Sequence, residues 1–227
     1  MHIPDGFLSP EVAAGTAVVA AGAVGIGLQR AGTRLDDRLV PLLGVTGAFV
    51  FAAQMINFPV AGGTSGHFLG AALATILLGP WLATLVLAVV LATQSFVFAD
   101  GGVSALGANV VDMGVLGALV TGGLMLAARR VLPRRRGALL FVAGAGAWLA
   151  VVAGAAGTAV SLALSGTVPL GTVLPAMLAV HVVIGVGEAV ITVAALSALM
   201  ATRPDLIAGW AVAEPARARA VPLPAGA

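Results

Sequence analysis

The sequence predicts an all-α fold, a polytopic helical bundle in a membrane, and three observations carry that prediction. Of 227 residues 60% are hydrophobic and a further 31 are glycine, while charged residues make up 9%, against about 25% in soluble proteins. Mean hydropathy is +1.10, so apolar side chains outnumber what one core can bury and lipid must solvate the rest. Apolar runs recur along the chain, separated by short segments that hold the prolines, arginines and acids. The absence of cysteine excludes disulfides, thiolate metal sites, iron-sulfur clusters and a cysteine nucleophile.

About seven transmembrane helices follow, at roughly 10 to 29, 39 to 57, 67 to 79, 81 to 98, 109 to 128, 138 to 164 and 173 to 201, each judged by length and apolarity. The first carries Ala13, Ala17 and Ala21 at four-residue spacing, a small-residue stripe that suits close packing in the bundle or docking of another membrane subunit. Gly79-Pro80 divides a 32-residue apolar run, because proline breaks a helix interior. The division also satisfies the arginine distribution. Arg30, Arg34 and Arg38 lie in one loop and Arg129, Arg130, Arg134, Arg135 and Arg136 in another, and an even number of spans between them puts both on the cytoplasmic side. The N-terminus is then outside and the C-terminus cytoplasmic, with Asp5, Glu11, Asp100 and Asp112 toward the outer face. Asp100 and Asp112, flanking a glycine-rich outer loop, read as surface and helix-end groups, the alternative being contact with substrate. The third span starts at His67 and is too short to cross, so the segment Asn57 to Gly66 dips below the membrane surface as irregular backbone, tolerated there only against protein or an aqueous cavity.

One transmembrane domain therefore covers 1–206, and 207–227 reads as a short cytoplasmic tail. No basic residue precedes Arg30, unlike a secretory signal peptide, and a large second residue disfavours removal of the initiator. Met1 is expected to remain.

That expectation gives His2 a particular chemistry. The α-amine, the amide nitrogen of His2 and its imidazole Nδ1 can close adjacent five- and six-membered chelate rings. A fourth nitrogen would complete a planar set suited to Ni(II) or Cu(II), and His67 is the natural donor. The alternatives are a polar residue at a frayed terminus for His2 and a helix-start residue bonded to loop backbone for His67. His181 and Glu188 share a face of the last span and read either as an intramembrane hydrogen-bonded pair fixing helix packing or as groups near the metal or in proton release. There is no His-Glu-x-x-His helix, nucleophile elbow or P-loop. The chain is therefore not expected to be an enzyme or to couple ATP hydrolysis itself.

Met1-His2-Ile3-Pro4-Asp5-Gly6, the loop from Asn57 to His67, Leu78-Gly79-Pro80-Trp81, Phe98-Ala99-Asp100-Gly101-Gly102 and Leu106-Gly107-Ala108-Asn109 together resemble the CbiM/NikM family. These are substrate-binding S components of energy-coupling-factor (ECF) ABC importers for cobalt and nickel, and the resemblance runs from residue 1 to about 206. It implies a pocket in which nitrogens of Met1, His2 and His67 bind the metal, with Asp5, Asn57, Ser65, His181 and Glu188 supporting it. It implies no resident cofactor, since Ni2+ or Co2+ is the substrate. The partners it implies are a transmembrane coupling (T) subunit, cytoplasmic ABC ATPases and a small accessory membrane subunit, here expected as a separate chain. The location implied is a prokaryotic plasma membrane. A stand-alone secondary metal permease is the rival reading, with His181 and Glu188 as its buried candidates for a coupling path; an intramembrane metal-dependent hydrolase suits a planar nitrogen site less well. Neighbouring genes for cobalamin synthesis, or for urease or hydrogenase, would separate cobalt from nickel.

Overall fold

A computed structural model describes residues 1–34, 39–56, 58–60 and 64–207. The helices are α1 (Pro10–Arg34), α2 (Leu39–Gln54), α3 (Ala71–Leu78), α4 (Pro80–Phe98), α5 (Leu106–Val131), α6 (Arg136–Leu164) and α7 (Leu170–Thr202). Five of them, α1 and α4 to α7, are long and apolar enough to cross a membrane, whereas α2 has 16 residues and α3 only 8. The break between α3 and α4 falls where proline predicts it, with Gly79 at φ 81° turning the chain and Pro80 opening the next helix.

The helix α3 is shorter than the sequence suggests because His67 to Gly70 is non-helical backbone, with Gly70 left-handed at φ 78°. At 1.5 Å per residue, α3 rises about 12 Å from the Gly79 corner while α4 runs about 28 Å back alongside it. His67 is thus set well inside the bundle rather than at its rim. All but one of the α3 side chains are buried, and Gly117 of α5 lets the helices touch, since a Cβ there would lie 2.6 Å from the Ala71 Cβ. The segment before His67, expected as irregular backbone, contains a two-stranded hairpin, β1 (Phe58–Val60) against β2 (Thr64–Gly66), in antiparallel register Phe58 to Gly66. Strand pairing satisfies backbone groups that a dipping loop would otherwise leave to water.

The core has two main parts. One gathers Met1, Val50, Leu69, Leu82, Leu87, Leu91, Met113, Val151 and Ala155, and the other Leu73, Ile76, Met125, Leu139, Val142, Leu196 and Ile207. The amino-terminal residue is therefore a core residue, 2% exposed. Ala17 of the α1 stripe lies against Gly107, whose added Cβ would sit 2.5 Å from the Ala17 Cα, so at that position the stripe packs within the bundle. Asp112, read as a helix-end surface group, is instead buried inside a π-helical stretch of α5 (Val110–Val115), where Thr158 of α6 donates to Oδ2 at 3.3 Å. The sequence carries no periodicity that marks a single π turn, so its boundary was invisible there.

Candidate metal centre

Residues 1 to 9 form a strap laid into one end of the bundle, and glycines make room for it. A Cβ on Gly102 would lie 2.3 Å from the Asp5 backbone nitrogen and 2.6 Å from the Pro4 carbonyl carbon, and one on Gly101, at φ +91°, would lie 3.1 Å from His2 Nδ1. The strap's backbone is then bonded in place. Asn109 accepts from the Ile3 N–H at 2.8 Å and donates to the Ile3 carbonyl at 3.2 Å, and Gly102 N–H donates to the same carbonyl at 2.8 Å. Asp5 Oδ1 accepts from both the backbone N–H (2.7 Å) and the hydroxyl (2.5 Å) of Ser104, and Thr167 donates to the Phe7 carbonyl. Gly6, at φ 83°, completes the turn that Asp5-Gly6 foretells.

Docking buries the terminal amine and the His2 ring. The imidazoles of His2 and His67 approach to 4.7 Å between centroids, tilted by 33°. Burial pushes the amine down from 8.0 to about 5, and burial together with the charge of that amine pushes His2 down from 6.5 to about 3. Both are neutral at physiological pH, the state a metal requires of a nitrogen ligand.

His67 is oriented by its own loop. Its Nδ1 stands 2.8 Å from the Phe68 carbonyl, which can only accept, so Nδ1 carries the proton and Nε2 presents a lone pair. That Nε2 is buried with no hydrogen-bond partner. The loop is gripped from two sides: Glu188 of α7 accepts from the N–H groups of Leu69 (2.6 Å) and Gly70 (2.8 Å), and Gln54 of α2 donates to the Leu69 carbonyl at 2.7 Å. Gly70, at φ +78°, has Val50 where a Cβ would be.

His181 and Glu188 do not form the hydrogen-bonded pair that their shared face suggests. His181 Nδ1 bonds the Met177 carbonyl at 2.7 Å, and Glu188 is committed to the His67 loop. His181 Nε2 is likewise buried without a partner. Asn57 and the side chain of Ser65 lie outside the described residues. Asp100, read as a surface group, is partly buried, with Oδ2 3.8 Å from His2 Nε2. Sequence reasoning left Gln54, Ser104 and Asn109 without a role. For the two amides the signal was there, because a polar amide inside an apolar run needs a buried partner; the exposed loop residue Ser104 carried none.

The bundle thus packs a buried Met1 and the adjoining rings of His2 and His67 into one end of the molecule. The chain belongs to the CbiM family, cobalt uptake substrate-specific transmembrane regions, whose profile matches residues 2–206. It is similar to a cobalt transport protein of Sorangium cellulosum, 37% identical across 82% of this chain and 84% of that one. It is also similar to a fused nickel transport protein of Rhodobacter capsulatus, 32% identical across 98% of this chain and 66% of the longer relative. Among solved structures it resembles a truncated transition metal transporter at TM-score 0.80 and 31% identity, over 88% of this chain and 99% of that one. The protein is a cobalt or nickel uptake substrate-specific membrane component.

Proposed function

We propose that the chain binds one Ni2+ or Co2+ through the Met1 amine, the His2 amide nitrogen, His2 Nδ1 and His67 Nε2, and delivers it as the S component of an ECF importer in a prokaryotic plasma membrane. A T subunit, paired ABC ATPases and a small accessory membrane subunit would drive the cycle. The observation that carries the reading is the burial of the chain's own amino terminus next to a second imidazole whose Nε2 lone pair has no partner. Burying an ionisable amine and two imidazoles together is costly, and a cation that binds their nitrogens offsets that cost. Asp5 holds the strap through Ser104, and Glu188 holds the loop that bears His67, so both act on ligand geometry. Glu188's commitment to two backbone N–H groups also weighs against the rival secondary permease, which needs that carboxyl for a coupling ion.

The test is bound metal per chain, with equal nickel and cobalt offered together, for protein with native Met1 and for a variant with two residues added ahead of it. The added residues keep every side chain and remove the amine chelate. The native form should hold about one ion and the extended form should lose it. Equal binding by both overturns the ligand set. For the coupling, metal uptake by cells should require the ATPase partners, and uptake by the chain alone would favour the permease.

A further inference from the structure

We propose that Asp100 is a positioning residue for the metal centre: it accepts a hydrogen bond from His2 Nε2–H, so that Nδ1 is the nitrogen turned to the metal, and it balances the charge of the ion. The inference rests on the ligand reading above and adds a residue to it.

The first support is chelate geometry. Only Nδ1 closes a six-membered ring with the amide nitrogen of the same histidine, and in a neutral imidazole bound through Nδ1 the proton sits on Nε2. That proton needs an acceptor, because the His2 side chain is 4% exposed and Nε2 has no hydrogen-bond partner. The Asp100 carboxylate is the acidic group within ion-pair range, Oδ2 lying 3.8 Å from Nε2. This is longer than a hydrogen bond, a gap that a small ring movement on metal capture closes.

The second support is that Asp100 is held where this contact needs it. Ala99 takes a left-handed conformation at φ 54° to end α4, and the Asp100 N–H donates to the Gln94 carbonyl at 3.0 Å. Ser95 then holds the Gly101 carbonyl at 3.0 Å. Gly101 lacks the side chain that would crowd Nδ1, so the same turn that aims a carboxylate at Nε2 leaves space beside Nδ1.

The third support is charge. A divalent ion with a deprotonated amide and three neutral nitrogens leaves one net positive charge in a water-poor site, which favours a nearby anion. The partly buried Asp100 carboxylate, within ion-pair range of the His2 ring, is such an anion. Metal-bound imidazoles commonly donate their outer N–H to a carboxylate, with effects on affinity of 10- to 100-fold.

The experiment uses the full chain in detergent with native Met1, and measures Ni2+ affinity by competition with a chromophoric chelator together with the ligand-field absorption of bound nickel. Asp100→Ala should weaken Ni2+ binding by about 10- to 100-fold and move the ligand-field band to lower energy, since an imidazole that has lost its acceptor is a poorer donor. Asp100→Asn, which accepts the same bond without charge, should recover part of the affinity and most of the band position. Native affinity and an unmoved band in Asp100→Ala would overturn the role. So would a loss of affinity with an unmoved band and a lowered melting temperature, the pattern of a purely structural residue. If the unaltered chain binds no nickel, the ligand reading fails first, a result visible before any variant is made.

Discussion

Gly102 shows how much of the site depends on what is missing. Its absent Cβ would fall 2.3 Å from one strap backbone atom and 2.6 Å from another, and backbone cannot rotate away as a side chain tip can. Gly102→Ala should therefore displace the strap while the helices, which do not use this space, keep their packing. We expect Ni2+ affinity at least 10-fold lower with unchanged helical circular dichroism; retention of native affinity would show that the strap tolerates the shift. The same strap makes docking sensitive to acid. Undocked, the Met1 amine titrates near 8.0 and His2 near 6.5; docked, burial lowers them to about 5 and about 3. The docked state thus binds fewer protons between about pH 5 and 8 for the amine and between about pH 3 and 6.5 for His2, so its stability rises with pH through those windows and falls as acid is added. Hydrogen exchange at the Ile3 amide, corrected for intrinsic rates, should show protection declining steadily from pH 8 toward pH 5, and flat protection would contradict the shifts.

At the scale of elements, α7 and α2 meet at the loop from His67 to Gly70, and Glu188 is the stronger of the two grips. Glutamine at 188 keeps one oxygen for one N–H but turns an NH2 toward the other, leaving two donors face to face in a buried place, a cost of about 1–3 kcal/mol. Glu188→Gln should lower the melting temperature in detergent by several degrees and weaken nickel binding through misplacement of His67, whereas Gln54→Leu, which removes one bond to the Leu69 carbonyl, should do less. Equal metal affinity for native protein and Glu188→Gln would mean that the loop holds His67 unaided. The helices were largely legible beforehand, because a long apolar run limited by glycine, proline or arginine has few other fates in a membrane. The closeness of His2 to His67 was legible too, since a histidine in second position can offer nitrogens for a chelate and calls for a further donor nearby. What escaped were features set by contact between distant segments: the short hairpin before His67, the π-helical turn that buries Asp112, the division of His181 and Glu188 between separate partners, and the closeness of Asp100 to His2. Residue spacing along one element cannot report which face of another element it meets.

Across the whole molecule, the strap, Ser104, Asp100 and Thr167 gather at one end, while Arg30 closes α1, Arg129 and Arg130 close α5, Arg136 opens α6 and Arg203 follows α7 at the other. A bundle so polarised has one favourable orientation, since arginine is retained on the cytoplasmic side during insertion and acids contribute little. The site end should then face outward, where a metal can be captured, and the arginine end should face the compartment that holds ATP. Because the chain contains no cysteine, single cysteines can be placed without background. Val103 is 48% exposed beside the strap, and Arg134 is exposed in the turn between α5 and α6. In intact cells a membrane-impermeant maleimide should label Val103→Cys and spare Arg134→Cys, and opening the cells should make both reactive. The reverse pattern would turn the bundle over, placing the metal site on the cytoplasmic side, and would exclude capture from outside through this strap even if the nitrogen ligands prove correct.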